Sequence, residues 1–216
     1  MLAEIILRLA GQVTSHRVVY LSGLPACGKT TVIRLLASEL DAIVVPEFMD
    51  SIPEWIINLR PGASAEEHLA AQRWVVDQHV AKNDFVLRKR ECGRLILVDR
   101  TFVDAVIYAA AYSADIRAAI TVKVAGHHWA PGLFIALVAR PDVIKERMIT
   151  RGDSDGDGWE RNWRSFVEIL QQGYEDLIAF RAVVGIDTTM LTTAESAEQV
   201  CHHVMRHWPG FGDKKA

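Results

Sequence analysis

The segment Gly23-Leu24-Pro25-Ala26-Cys27-Gly28-Lys29-Thr30 constrains this chain more than any other part of it. It has the form G-x-x-x-x-G-K-T and lies between an apolar run, Val18-Val19-Tyr20-Leu21, and a stretch of helical spacing from Thr30 to Leu40. Two glycines at this separation let the backbone turn and approach a ligand where a side chain would collide. Successive N–H groups can then wrap a phosphate at a helix N-terminus, where the dipole favours negative charge. A strand, a phosphate-wrapping loop and a helix in this order open a βαβ unit, so parallel strands covered by helices are expected to follow. Lys29 would reach the β- and γ-phosphates of ATP and the Thr30 hydroxyl would ligate Mg²⁺, with Gly23, Ala26, Cys27, Gly28 and Thr31 forming the rest of the contact surface. Cys27 reads as a small residue filling its position; a helix N-terminus beside it would also be a setting that lowers a thiol pKa.

The rest of the sequence carries the expected alternation. Apolar runs bounded by turn residues read as buried parallel strands at Val18–Leu21, Ala42–Val45, Leu95–Val98, Leu133–Val138 and Val183–Ile186. Helical patterns fill the intervals: Thr30–Leu40, Ala65–Arg90, Phe102–Ala119, Asp142–Thr150, Trp163–Arg181 and Ala194–His207, with a further helix over residues 1 to about 12. The expectation is one α/β domain over residues 1–216, a five-stranded parallel sheet with helices on both faces and a helical lid. Ligands of such sheets bind beyond the carboxyl ends of the strands. Gly23 follows the first strand, Glu47 the second, and Asp99 with Arg100 the third, so the polar residues stand where that rule needs them.

Composition narrows the partners. Hydrophobic residues at 50% and charged residues at 24% are the usage of a packed globular protein. A formal charge of −3, with Arg88-Lys89-Arg90 as a short basic run, argues against a nucleic-acid polymer as partner. Met1 to Ala10 carries Glu4 and Arg8 and is too short to span a membrane, so neither membrane insertion nor a signal peptide is expected. Cys27, Cys92 and Cys201 are too scattered for a disulfide framework or a zinc site, which suits a reducing cytoplasm.

Four further segments carry chemistry: Val44-Val45-Pro46-Glu47 with Trp55 downstream; Leu95 to Thr101 with Asp104 and Tyr108; Trp74-Val75-Val76-Asp77-Gln78; and Arg147 to Asp153 followed by Phe166 to Leu177. Together with the loop they give a chain that resembles the thymidylate kinase and deoxynucleoside kinase group of P-loop kinases from Val18 to Trp208. The resemblance implies a phosphotransferase whose acceptor is a nucleoside or nucleoside monophosphate. In it Glu47 is the base for the acceptor hydroxyl, Asp99 sits beside Mg²⁺, and Arg100 contacts phosphoryl or acceptor oxygens. Residues 47–80 hold the acceptor, with Trp55 and Tyr108 at the site and Gln78, or its rival Gln72, reading the acceptor base. Residues 147–166 form the lid, with Arg147, Arg151, Arg161 and Arg164 as the candidates for the cations that close over the phosphates, a choice the spacing leaves open.

Pro25 and Pro46 stand where thymidylate kinases generally have an acidic residue and an arginine. Glu47 without that arginine tilts the reading towards a hydroxyl acceptor such as a nucleoside, although Arg60 or the lid arginines would be alternative clamps for a monophosphate. Another small hydroxylated metabolite, or an antibiotic, fits the same chemistry. A P-loop ATPase switch with a protein partner is the competing class, but Asp99 is followed by Arg and there is no Asn-Lys-x-Asp segment. Asp153-Ser154-Asp155-Gly156-Asp157-Gly158 imitates the start of a calcium loop, yet the twelfth position is Arg164 rather than glutamate. His203 and His207 share a helix face without a third ligand. The run Ala109-Ala110-Ala111 suits either packing within the chain or a homodimer contact.

Overall fold

The structure is a computed structural model and describes residues 1–10, 16–59, 63–153, 160 and 163–209. Arg60, Arg161 and the calcium-loop imitation from Ser154 to Gly158 lie outside those residues, as does part of the expected lid. The strands are β1 (Val18–Gly23), β2 (Ile43–Val45), β3 (Ile96–Asp99), β4 (Leu133–Val138) and β5 (Val184–Asp187). All pair in parallel in the order β2-β3-β1-β4-β5. Helices α1 (Leu2–Ala10), α2 (Lys29–Leu40), α3 (Glu54–Ile57), α4 (Ala65–Lys89), α5 (Phe102–Ala110), α6 (Ala114–Ala125), α7 (Pro141–Thr150), α8 (Arg164–Ala179) and α9 (Thr193–His207) surround it.

Every residue of β1 is buried, which is what a central strand covered on both faces requires. Val19 pairs with Leu97 on one side and Leu133 on the other, and Gly23 at the end of β1 pairs with Leu137. Tyr20 stacks on Phe134 with ring centroids 4.6 Å apart and donates its hydroxyl to the Ala130 carbonyl at 3.0 Å. Its hydroxyl thus keeps a partner while its ring joins the apolar core. Ile6 and Leu9 bury the inner face of α1, and the side chains of Val32, Ile33 and Leu36 do the same for α2. Each such residue contributes about 1.5–3 kcal/mol by leaving water.

Local sequence fixes the helix starts. Ser64 and Glu67 form a reciprocal capping box at α4, Thr101 and Asp104 at α5, and Thr192 and Glu195 at α9. The continuous helix expected over Phe102–Ala119 is instead two helices. The backbone leaves helical geometry at Ser113, whose extended conformation lets its hydroxyl accept from Ile116 N at 3.1 Å and restart the chain as α6. Ala109 is buried against neighbouring elements of the same chain. No helix among the described residues is long and apolar enough to cross a membrane.

Candidate functional site

The site begins where β1 ends. Gly23 has φ +135° and lies so close to β4 that a Cβ there would sit 2.0 Å from the Leu137 carbonyl oxygen. Leu24 N donates to that same oxygen at 3.1 Å, fixing the start of the loop to the sheet. Ala26 (φ 55°) and Gly28 (φ 87°) are left-handed, which turns the 23–28 backbone into a cup of N–H groups ending at α2. Lys29 is buried beneath it and donates to the carbonyls of Gly23 and Leu24 at 3.1 and 2.7 Å. Those bonds use two of the three ammonium N–H groups and leave one for a phosphate oxygen. Burial, with Arg100 nearby, lowers Lys29 to about 8.

One strand away, Thr30 donates its hydroxyl to Asp99 Oδ2 at 2.7 Å, while Asp99 Oδ1 is buried without a protein partner. A hydroxyl and a carboxylate oxygen in contact at the mouth of a phosphate cup are a hard-oxygen donor set that fits Mg²⁺, which takes only one or two protein carboxylates and completes its octahedron with phosphates and water. Among the described residues no cluster of three or more His, Cys, Asp or Glu offers an all-protein cage.

Arg100 follows Asp99 in a left-handed conformation, φ 62°, where a residue with a Cβ is held only by its surroundings. Those surroundings are specific. Its Nε lies 2.6 Å from Glu47 Oε1, an ion pair without an aligned N–H, and its Nη1 donates to Tyr108 Oη at 2.7 Å. Asp104 then ties the group together: it accepts from Ser22 Oγ at 2.7 Å, Thr101 N at 2.8 Å, Tyr174 Oη at 2.6 Å and Gly23 N at 3.4 Å. Glu47, Asp99, Arg100 and Tyr108 are therefore brought to one place beside Lys29 and Thr30. Asp104 reads from the sequence only as a companion of the β3 segment, and Tyr174 only as part of the segment Phe166 to Leu177; the hub role, and the partner Ser22, carry no motif that would find them.

Beyond Glu47 and Arg100 a small cavity of about 110 Å³ is lined by Gln72, Val75, His79 and Tyr108. It shares Gln72 and Val75 with a larger, mostly apolar cavity of about 570 Å³ reaching Ile56, His68, Tyr112, Trp163 and Phe166. Gln72 Oε1, His68 Nδ1 and His79 Nδ1 are buried without partners, and burial holds His79 well below the ordinary histidine range. Gln78 is not brought to these cavities. Its Oε1 accepts from Met49 N and Asp50 N at 3.0 and 2.9 Å, and its Nε2 donates to Asp50 Oδ2 at 2.9 Å, so it holds the loop after β2. Trp55 stands on α3, 48% exposed, and lines neither cavity.

On the β4–β5 side of the cup a cavity of about 730 Å³ is lined by Ala26, Cys27, Thr31, Arg140, Arg147 and Thr188, among others. Arg147 donates to Thr188 Oγ1 and O at 3.1 and 2.7 Å, which anchors it to the end of β5. Arg151 also lines this cavity and pairs with Asp153. Arg164 faces away, pairing with Glu160 and Glu168 on an exposed surface. Arg140, just after β4, is a cavity cation that pattern reading passed over because an Arg-Pro pair before a helix looks like a simple helix start. Burial pushes the Cys27 thiol up, against the effects of Lys29 and Arg147.

A family profile described as an AAA domain matches residues 18–179, most of the chain. No curated protein matches its sequence. Among solved structures it is similar to thymidylate kinase from Candida albicans, with a TM-score of 0.67 and 15% identity over 88% of this chain and 92% of that one. It is also similar to deoxyadenosine kinase from M. mycoides, with a TM-score of 0.65 and 13% identity over 88% of this chain and 99% of that one. At these identities the likeness is one of fold: a five-stranded parallel P-loop kinase sheet with its covering helices.

Proposed function

Because this chain belongs to the AAA domain family and has the fold of the P-loop kinases, we propose that it transfers the γ-phosphoryl group of ATP to a hydroxyl of a nucleoside-like acceptor. One observation carries the reading: Glu47 and Arg100 stand in contact at the head of a cavity, one strand from the Thr30–Asp99 pair and the phosphate cup. The cup and Lys29 hold the β- and γ-phosphates, while Arg147 and Arg151 face the 730 Å³ cavity where the nucleoside part of ATP fits. Thr30 and Asp99 would hold Mg²⁺, which when bound would offset charge on the phosphate oxygens. Glu47 takes the acceptor proton as the new O–P bond forms and the bond from phosphorus to the β–γ bridging oxygen breaks, releasing ADP. Arg100 keeps that carboxylate turned towards the cavity and presents its own guanidinium to the transferring group.

A hydroxyl acceptor is favoured over a monophosphate by charge. Among the described residues lining the two cavities beyond Glu47, Arg100 is the one arginine or lysine, and Glu47 already engages it. Gln72 offers a carbonyl oxygen to the acceptor ring, and the aromatic wall of Tyr112, Trp163 and Phe166 offers apolar surface. That apolar volume also favours, as a second reading, a flat hydroxylated metabolite that is not a nucleoside. The test is a panel of nucleosides, nucleoside monophosphates and other hydroxylated metabolites, assayed for acceptor-dependent ADP release. Transfer to nucleosides but not monophosphates is expected, and Glu47→Gln should lower kcat by about 10²–10⁴-fold with little change in KM for ATP. ADP release indifferent to every acceptor would refute the proposal and favour an ATPase switch, and full turnover by Glu47→Gln would remove Glu47 as the base.

A further inference from the structure

Lys82 is among the largest fully buried side chains, sits in the C-terminal half of α4, and touches neither the phosphate cup nor the two cavities beyond Glu47. Its ammonium donates to three backbone carbonyls: Glu47 O at 2.9 Å, Asp99 O at 2.7 Å and Arg100 O at 3.0 Å. An ammonium has three N–H donors and no acceptor, so three carbonyls saturate it. The three carbonyls belong to Glu47, the second residue after β2, to the last residue of β3, and to the left-handed residue after it. No backbone hydrogen bond joins these two loops directly among those the structure records outside helices and strands.

We propose that Lys82 is a positioning residue for the phosphoryl-transfer site: it locks the Glu47 loop to the Asp99–Arg100 turn, so that base, metal carboxylate and arginine keep one fixed spacing. The proposal rests on the phosphotransferase reading above for its kinetic consequence, but the clamp itself is a statement about geometry. Gln78, one helical turn earlier, holds Met49 and Asp50 of the same loop. Positions i and i+4 share a helix face, so α4 grips the 47–50 segment at two successive points, and Lys82 alone extends the grip to β3. The left-handed Arg100 is a conformation that must be over-determined by its surroundings. Its carbonyl is fixed by Lys82 and its N–H by Leu21 O at 3.0 Å, so the strained peptide is held at both ends.

Lys82→Met keeps the length and apolar stem and removes all three donors. With the four 2′-deoxynucleosides as acceptors, kcat is expected to fall on the order of 10²-fold, the effect of moving reacting groups by about 1 Å. The equilibrium affinity for MgATP, held mainly by the cup at the end of β1 and by Lys29, should fall less than kcat does. Lys82→Arg, which returns donors in a different arrangement, should recover part of kcat. Crystal structures of both variants supply a readout independent of any acceptor: in Lys82→Met the Glu47–Arg100 contact should open beyond 4 Å or Arg100 should leave positive φ. If wild type turns over none of the four acceptors, the 2′-deoxynucleoside assignment fails, the kinetic comparison moves to the acceptor found by the wider panel, and the crystal structures judge the clamp. An unmoved Glu47–Arg100 pair in Lys82→Met, or parallel loss of MgATP affinity and thermal stability with turnover in both variants, overturns the proposal and makes Lys82 a residue of the fold alone.

Discussion

Asp104→Asn perturbs the site at its hub while changing almost no volume. The carboxylate accepts five hydrogen bonds: Tyr174 Oη, Gly23 N and, at 3.5 Å, Arg100 Nη1 on Oδ1, and Ser22 Oγ and Thr101 N on Oδ2. An amide has one acceptor oxygen, so its NH₂ must face one of the two sets. Either hydroxyl can turn and accept, but neither backbone N–H nor the guanidinium can. The less costly arrangement puts the NH₂ towards the Oδ1 partners, because the Gly23 and Arg100 bonds there are the longest, at 3.4 and 3.5 Å, and Arg100 Nη1 keeps Tyr108 Oη as a partner. That leaves one buried N–H unpaired, about 1 kcal/mol at the low end for such a group, and turns the retained short bonds from charged to neutral, about 1 kcal/mol each. The total is about 3 kcal/mol, a large share of the 5–15 kcal/mol by which proteins are stable. For a chain of this length it corresponds to a fall in Tm of roughly 6–12 °C. The assay is thermal and urea unfolding of wild type, Asp104→Asn, Tyr174→Phe and the double variant. Because the two residues share one bond, the double variant should be less destabilised than the sum of the single ones by about 0.5 kcal/mol or more. A single variant within 2 °C of wild type, or strict additivity in the cycle, would refute the account of Asp104 as the junction of β1, β3, α5 and α8.

Three other perturbations test separate parts of the structure. Gly23→Ala must move the Leu137 carbonyl from a Cβ placed 2.0 Å away and hold alanine at φ +135°, so it should cost roughly 3 kcal/mol or more and weaken MgATP binding more than tenfold; a fluorescent ATP analogue and a thermal melt read both, and wild-type affinity would contradict the close approach. His79 is neutral when folded and held well below 6.5, so its contribution is present above about pH 6.5 and is lost as pH falls below it, at up to about 1.4 kcal/mol per unit. Urea unfolding between pH 7.5 and 5.5 should show that slope and His79→Gln should flatten it; an equal slope in the variant would assign it to other groups. Cys27 is buried with its thiol pushed up, whereas Cys92 is exposed, so a thiol reagent at pH 7.5 should label Cys92 roughly tenfold faster, with MgATP slowing Cys27 further; mass spectrometry finding Cys27 modified first would contradict the burial.

The strand ends were legible because the apolar runs stop abruptly at Gly23, Glu47 and Asp99, although the edge strands β2 and β5 proved only partly buried rather than covered on both faces. The helix break at Ala111–Ser113 was not, since Ala109, Ala110 and Ala111 continue a helical pattern and Ser113 caps without the acidic partner that makes a capping box visible. The choice between Gln72 and Gln78 depended on rotation about α4. Six residues at 100° each place the two side chains about 120° apart, and pattern reading does not say which faces the cavity. Lys82 was illegible for a deeper reason. Its partners are backbone carbonyls, present at every residue, so nothing in the sequence marks the three it binds.

The strand order has a kinetic meaning. β1 carries the phosphate cup and separates two halves of the sheet: β3 and β2 present Asp99, Arg100 and Glu47, while β4 and β5 lead to Arg140 and Thr188 around the 730 Å³ cavity. On the proposed function, two substrates seated in these halves would meet above the end of one strand. Neither has to leave before the other arrives, and nothing needs to be parked on the protein between them. Initial-rate patterns for such an arrangement intersect, with both substrates bound in one ternary complex, rather than running parallel as they do when an enzyme is itself phosphorylated part-way through its cycle.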